Sequence, residues 1–302
     1  MSATLDVNGT IGALLASLFI STYLFGLSSA QAYLYHTNFP KDRLSWKVMV
    51  LIVWLCELGH CICISHSFFL ISITRWGYIT FTTEALPRSF AFSILLSGVI
   101  GTIVQCFFAE RIRTLSRCIV IPATCWALSF ARAVFVLMGT YEAFVATSVT
   151  LFEKQWRWLV ITILTLGSAV DFFLAVLLCF YIKQAHTSND HPGTSLVVNK
   201  IFYWTLETGL MTSLAGISII ICLVVFPGNF SWLALYTILV RLFSNSLFAS
   251  LNGRAILRDD MTSVQYAQSS RGGMSAKTTA VAIHITRVVE TKIEPVFEYG
   301  II

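Results

Sequence analysis

Long apolar runs separated by short polar breaks dominate the chain. Seven of them reach about 20 residues, the length that crosses the bilayer's hydrocarbon core as a helix, since a helix satisfies its own backbone there. They are Thr10–Tyr35, Trp46–Thr74, Pro87–Glu110, Cys118–Thr140, Arg157–Ile182, Ile201–Phe226 and Phe230–Leu251. Arg132 interrupts the fourth, and Pro122 near its start marks a place for a kink. Pro227-Gly228-Asn229 between the sixth and seventh is a turn signal tight enough to force an antiparallel helical hairpin. Beyond Leu251 the chain turns rich in Ser, Thr, Arg and Gly and cannot build a core alone. Within that stretch Ala280–Ile293 places Val281, Ile283 and Ile285 at a strand period, so a strand formed on a partner is the alternative to a disordered tail. The expected architecture is all-α: an integral membrane bundle of seven transmembrane helices over residues 1–254, and a polar, disordered cytosolic tail over 255–302.

Composition supports lipid as the solvent. Of 302 residues, 56% are hydrophobic and 12% charged, against about 25% charged in soluble domains. The mean hydropathy is +0.77. A water-soluble globule is therefore excluded, and the first partner is the bilayer. The net charge of +5 does not point to nucleic acid, because the basic residues sit in short loops and the tail with no basic stripe among them. One side of the membrane collects Lys41, Arg43, Lys47, Arg111, Arg113, Arg117, Lys183, Lys200 and six basic residues from Arg254 to Lys292, fourteen in all. The other holds four: Arg75, Arg88, Lys154 and Arg157. By the positive-inside rule the N-terminus is outside and the C-terminus cytosolic. The sequons Asn8-Gly9-Thr10 and Asn229-Phe230-Ser231 both fall outside, and Trp46, Trp76, Trp156, Trp158, Trp204 and Trp232 lie near helix ends as an aromatic belt. The N-terminus has no basic n-region and its first apolar run is too long for an h-region, so no cleavable signal peptide is expected. The expected location is a plasma membrane or endomembrane.

Ionisable groups at bilayer depth cost at least about 2.5 kcal/mol each, so they should face the interior and find partners. They are Glu57 and His60 in helix 2, Arg132 in helix 4, Asp171 in helix 5, Glu207 in helix 6 and Arg241 in helix 7, joined by the neutral Gln105 and Asn245. Glu57 and His60 are three apart and share a face, as do Arg241 and Asn245 at four. Either these groups form ion pairs that fix helix register, or they line a ligand pocket or proton path. No metal or cofactor is expected. Glu57-x-x-His60 could give two ligands from one face, but di-metal bundles need that motif twice. Gly-x-Ser-x-Gly and phosphate-binding loops are absent, so an enzyme is not expected. Of the eight cysteines, none lies in a predicted external loop, which argues against a disulfide framework. Thr208, Gly209, Thr212, Ser213 and Gly216 form a small-residue stripe suited to close helix packing.

Several segments resemble a fungal multi-pass family known as domain of unknown function 6534. They are Phe25-Gly26-Leu27, Gln31-Ala32-Tyr33, Phe39-Pro40-Lys41-Asp42, the run from Gln105 to Ile112, Asp171, the run from Thr208 to Thr212, and Ser244 through Arg254. The resemblance covers helix 1 through Arg254 and implies a seven-helix fold in a fungal membrane. It implies no activity. Two positions depart from the family pattern: Glu57 stands where Asp is usual, and Phe243 where Tyr is usual, which removes a hydroxyl from helix 7.

Three functions fit this outline. One is a receptor-like protein that couples a small-molecule ligand, of unknown identity, to a cytosolic partner through the tail. The others are a membrane scaffold and a proton-coupled carrier of a small solute, the latter weakened by the absence of an internal repeat. Helix 7 has no Asn-Pro-x-x-Tyr and no lysine for a retinal Schiff base. For orientation, an N-terminal tag is expected to react with an impermeant antibody on intact cells, and a C-terminal tag only after permeabilisation. The reverse pattern overturns the assignment.

Overall fold

The structure, a computed structural model, describes residues 11–74, 85–187, 192–226 and 230–272. Among the described residues it is all-helical: α1 (Ala13–Asn38), α2 (Leu44–Phe69), α3 (Arg88–Ser116), α4 (Val120–Val145), α5 (Val149–Thr187), α6 (Pro192–Val225) and α7 (Ser231–Gly272). Six are long and apolar enough to cross a membrane, and α6 adds a shorter apolar stretch, Gly209–Val225. Backbone chemistry sets several ends. Pro40 follows the last turn of α1, whose final carbonyls are met by Phe39 N–H on Tyr35 O at 3.0 Å. α3 begins after Pro87, and Arg117 closes it in the left-handed region at φ 53°, its N–H on Arg113 O. Pro122 lies in the first turn of α4, where its missing N–H would have had no helical acceptor, so it sits there without costing a hydrogen bond. α2 ends in a π-helical turn, Leu70–Thr74.

Five helices outrun the hydrophobic pattern, α3 and α4 by about one turn at their ends and three others by more. α5 starts at Val149 rather than Arg157, α6 at Pro192 rather than Ile201, and α7 continues past Leu251 to Gly272. The added residues mix apolar and polar side chains, Phe152 and Trp156 standing beside Glu153, Lys154 and Gln155, so mean hydropathy falls there although the helix continues. Compact units divide at Met261 and Thr262; in the second, the described residues are helical through Gly272. The turn Pro227-Gly228-Asn229 and the 280–293 segment lie outside the described residues.

Polarity is distributed inside-out. Phe19, Tyr23, Val134, Phe180 and Leu214 project outward, Phe19 being 67% exposed, while Ser17, Ser21, Ser28, Ser97, Ser129 and Ser244 are buried. Buried hydroxyls cost little where they bond back to their own helix: Ser17 donates to Leu14 O at 2.8 Å and Ser28 to Leu24 O at 3.0 Å. Hydrocarbon outside and small polar groups inside are what a bundle in lipid requires. The main apolar cluster runs through α7, whose Leu239, Val240, Phe243, Leu247, Phe248 and Leu251 pack against Tyr35 of α1, Val53 of α2, Ile100 of α3, Leu164 of α5 and Ile219 of α6. α7 is thus the shared core element.

The small-residue stripe on α6 packs against α5. A Cβ added at Gly209 would collide with the Ala175 side chain, and one at Gly216 with Ser168. Gly209→Val is expected to destabilise by about 1–3 kcal/mol through overpacking, read as a lower unfolding temperature of the detergent-purified chain. Gly26, with open space where a side chain would go, should accept Ala within about 0.5 kcal/mol.

Candidate functional site

The buried polar residues separate into two groups with different character. The first joins α1, α2 and α7. Arg241, Glu57 and His60 are each fully buried. Arg241 Nη1 donates to the Glu57 carboxylate in an ion pair and to the Glu57 main-chain oxygen at 3.0 Å. Its Nε donates to Ser21 Oγ at 2.9 Å, and its Nη2 lies 3.2 Å from His60 Nδ1. Ser244 Oγ donates to the other Glu57 oxygen at 2.6 Å, and Phe25 lies 5.5 Å under the guanidinium. The 57/60 spacing matters here: three residues put carboxylate and imidazole on one face, toward the same arginine. One turn along α7, Asn245 Nδ2 donates to Ser28 Oγ at 2.9 Å and to Leu24 O at 3.2 Å. Charge is met by opposite charge and by hydroxyls, while His60 Nε2 is buried without a hydrogen-bond partner; the paired charges fix α1, α2 and α7 in register.

The second group is open. Gln105 Nε2 on α3 donates to Asp171 Oδ1 on α5 at 2.8 Å, and lies 3.4 Å from Gly167 O. Arg132 on α4 is 6% exposed. Its guanidinium occupies room left by two glycines: a Cβ at Gly101 would stand 2.7 Å from Nη1, and one at Gly167 3.0 Å from Nε. Both of those nitrogens lack a hydrogen-bond partner. The Phe243 ring lies 5.9 Å from its Cζ. Arg132 and Asp171 line one recess, together with Ser168, Phe243, Ser97 and Tyr236. Tyr236 is hydrogen-bonded to Ser97, whose hydroxyl also donates to Ile94 O at 2.7 Å.

Three recesses follow one another down α7. At the end where α3, α5 and α7 begin, an apolar one of about 50 Å³ is walled by Trp232, Phe152, Leu159 and Ile163. Tyr236 closes its floor and also forms the roof of the Arg132 recess of about 10 Å³. Phe243 and Asp171 then separate that recess from a third of about 30 Å³, lined by Thr212 of α6 and Ser246 of α7. Glu57, His60, Arg241 and Asn245 line none of the three. The Glu207 side chain lies outside the described residues. Trp232, Tyr236, Ser97 and the two glycines were not foreseen as site residues in the sequence. Trp232 was legible as an interfacial aromatic, and Tyr236 as a hydroxyl five residues before Arg241.

A third arrangement sits where α1 passes into α2. Arg254 Nη2 of α7 pairs with Asp42 Oδ2 at 2.6 Å, and its guanidinium lies 4.5 Å over Phe39. Tyr35 Oη donates to the same carboxylate oxygen at 3.0 Å. Nearby, Arg111 of α3 bonds to Ser250, and Asn252 Nδ2 donates to Gln31 O at 2.8 Å. Among the described residues no three His, Cys, Asp or Glu side chains gather as metal ligands would.

The two polar groups should respond differently to truncation. Arg241→Met leaves the Glu57 carboxylate buried without its counter-charge and is expected to cost about 3–5 kcal/mol, seen as a large fall in unfolding temperature. Combining it with Glu57→Met should recover much of that loss. Arg132→Met removes a side chain whose buried nitrogens have no partners, and should lower the unfolding temperature far less.

No curated protein and no solved structure matches the chain. Residues 167–256, from Gly167 and Asp171 through the α7 knot to the Arg254 pair, match the model of a family of unknown function (DUF6534), and the chain resembles that family there.

Proposed function

We propose that this protein is a receptor-like, seven-helix membrane sensor that holds a small molecule in the Arg132 recess and reports its presence through α7 to a cytosolic partner. The observation that carries this reading is the unpartnered guanidinium of Arg132, buried beside Asp171 in a recess walled by α7. A charged donor left unpaired in hydrocarbon is costly, and a ligand that accepts its hydrogen bonds removes the cost. The chemistry around it suits recognition better than reaction. Ser97 already spends its hydroxyl hydrogen on Ile94 O, and Asp171 is engaged by Gln105.

α7 supplies the connection. Its Tyr236, Phe243 and Ser246 wall the recesses, and the same helix carries Arg254 to Asp42. A shift at Phe243 would be felt at Arg254 because a helix moves as a rigid rod over three turns. In this reading the N-terminus is outside, as the charge asymmetry requires, and the Arg254 end faces the cytosol.

One observation favours a second reading. Asp171 lines two recesses in series, as a carrier's proton-binding carboxylate would. The two separate cleanly by experiment. In proteoliposomes under a pH gradient, the sensor reading expects proton entry no faster than in empty vesicles. Faster entry that Asp171→Asn abolishes would establish the carrier instead. In cells expressing the full chain, a heterotrimeric G protein or another cytosolic partner is expected to cross-link to the wild type in an amount that Arg132→Met changes severalfold. Equal capture by both chains overturns the sensor reading.

A further inference from the structure

The end of the bundle formed by the α1–α2 turn, the last turns of α3 and residues 250–254 of α7 carries an excess of positive charge. Lys41, Arg43, Lys47, Arg111, Arg113, Arg117 and Arg254 stand there against two carboxylates, Asp42 and Glu110. Both carboxylates are committed. Arg254 Nη2 and Tyr35 Oη donate to Asp42, and Arg113 takes Glu110 through Nε at 2.8 Å and Nη2 at 2.5 Å. Lys47 Nζ is held on Pro40 O at 2.6 Å.

Arg111 is left without a counter-charge. It is half-buried, and among the described residues its side chain bonds to the neutral hydroxyl of Ser250 and pairs with no carboxylate. Ser250 and Arg254 are four apart on α7 and share a face. Arg111 and Arg254 therefore meet the same face of α7, close enough for their charges to repel. Two cations partly withdrawn from water, with Asp42 alone to balance them, leave one positive charge to be met.

The surroundings select the kind of anion. Trp46 of α2 packs edge-on against Phe107 of α3, one turn before Arg111, with 5.4 Å between ring centres. The start of α2 thus lies beside the end of α3. There Leu44 is 74% exposed and Val48 42%, and Leu115, four residues beyond Arg111 on the same face, is 40% exposed. A tryptophan, bare hydrocarbon and an arginine at the end of apolar helices are the setting of a lipid headgroup with its chains below. A water-soluble anion meets only the charge; a lipid meets both. The positive-inside rule also assigns this end to the cytosolic leaflet, where anionic phospholipids concentrate.

We infer that Arg111, with Ser250 and Arg254 beside it, forms a binding site for the headgroup of an anionic phospholipid whose acyl chains lie along Leu44 and Val48. The guanidinium offers paired N–H donors in the geometry that phosphate and carboxylate oxygens accept. The site is separate from the Arg132 recess and does not depend on what that recess does.

The test places the full chain in phosphatidylcholine nanodiscs containing a trace of spin-labelled phosphatidylserine or spin-labelled phosphatidylcholine. The motionally restricted fraction of each label gives the preference for the anionic lipid. Wild type is expected to prefer phosphatidylserine, and Arg111→Gln to lower that preference about fivefold, the usual worth of one basic residue at an anionic surface. Arg117→Gln removes an equal charge from the exposed end of α3 and should leave most of the preference. Ser250→Asp gives Arg111 a carboxylate from within the chain and should abolish the preference with every cation still present. It decides the matter if Arg111→Gln fails to fold. Equal losses in Arg111→Gln and Arg117→Gln overturn the site in favour of a diffuse field, and the absence of any preference in the wild type overturns it outright. Glycerophosphoserine, the headgroup without its chains, should not displace the labelled lipid. Displacement by it, or by a polyglutamate peptide standing in for an acidic protein, overturns the lipid assignment.

Discussion

Everything in the bundle leans on one buried ion pair. Arg241, at the middle of α7, meets Glu57 on α2, and neither has any exposed surface. In hydrocarbon, lipid tails are as apolar as the leucines they touch, so helices gain little by burying apolar faces. What makes one arrangement better than its neighbours is the cost of leaving a charge unmet. Sliding α7 by a single turn would separate Arg241 from Glu57, Ser21 and His60 together. The pair thus fixes register, and because α7 also bonds to α1 through Asn245–Ser28 and to α3 through Tyr236–Ser97, theirs is tied to it.

Against that background Arg132 is the exception. It is buried among glycines chosen by space, close to a carboxylate that spends itself on Gln105, and it keeps two nitrogens unbonded. The bundle satisfies one buried arginine and leaves two nitrogens of the other without partners. The two arginines differ in whether the chain supplies partners for their nitrogens.

The Arg254–Asp42 pair adds a third level. It joins the α1–α2 turn to the last buried part of α7, where Phe39 stacks on the guanidinium. Being partly exposed, it is worth less than the buried pair. The segment 244–254, which lies within the stretch that matches the family model, meets residues 39–42 through this pair.

Sequence alone determined the seven apolar runs, because hydropathy over about 20 residues is a property of the solvent and not of the neighbours. It also named five ionisable groups that the structure buries, Glu57, His60, Arg132, Asp171 and Arg241, since such a group in an apolar run must turn inward. The 57/60 and 241/245 spacings showed which side chains share a helix face, but a face has no address until another helix meets it. Only tertiary structure decided that Glu57, His60 and Arg241 close on one another while Arg132 does not, and that Gly101 and Gly167, unremarkable in the sequence, hold the space between. The ends of α5, α6 and α7 escaped the sequence for the opposite reason: where polar and apolar side chains mix, mean hydropathy no longer marks a helix. Spans are set one residue at a time by transfer free energy, and sites by distances between residues far apart in the chain.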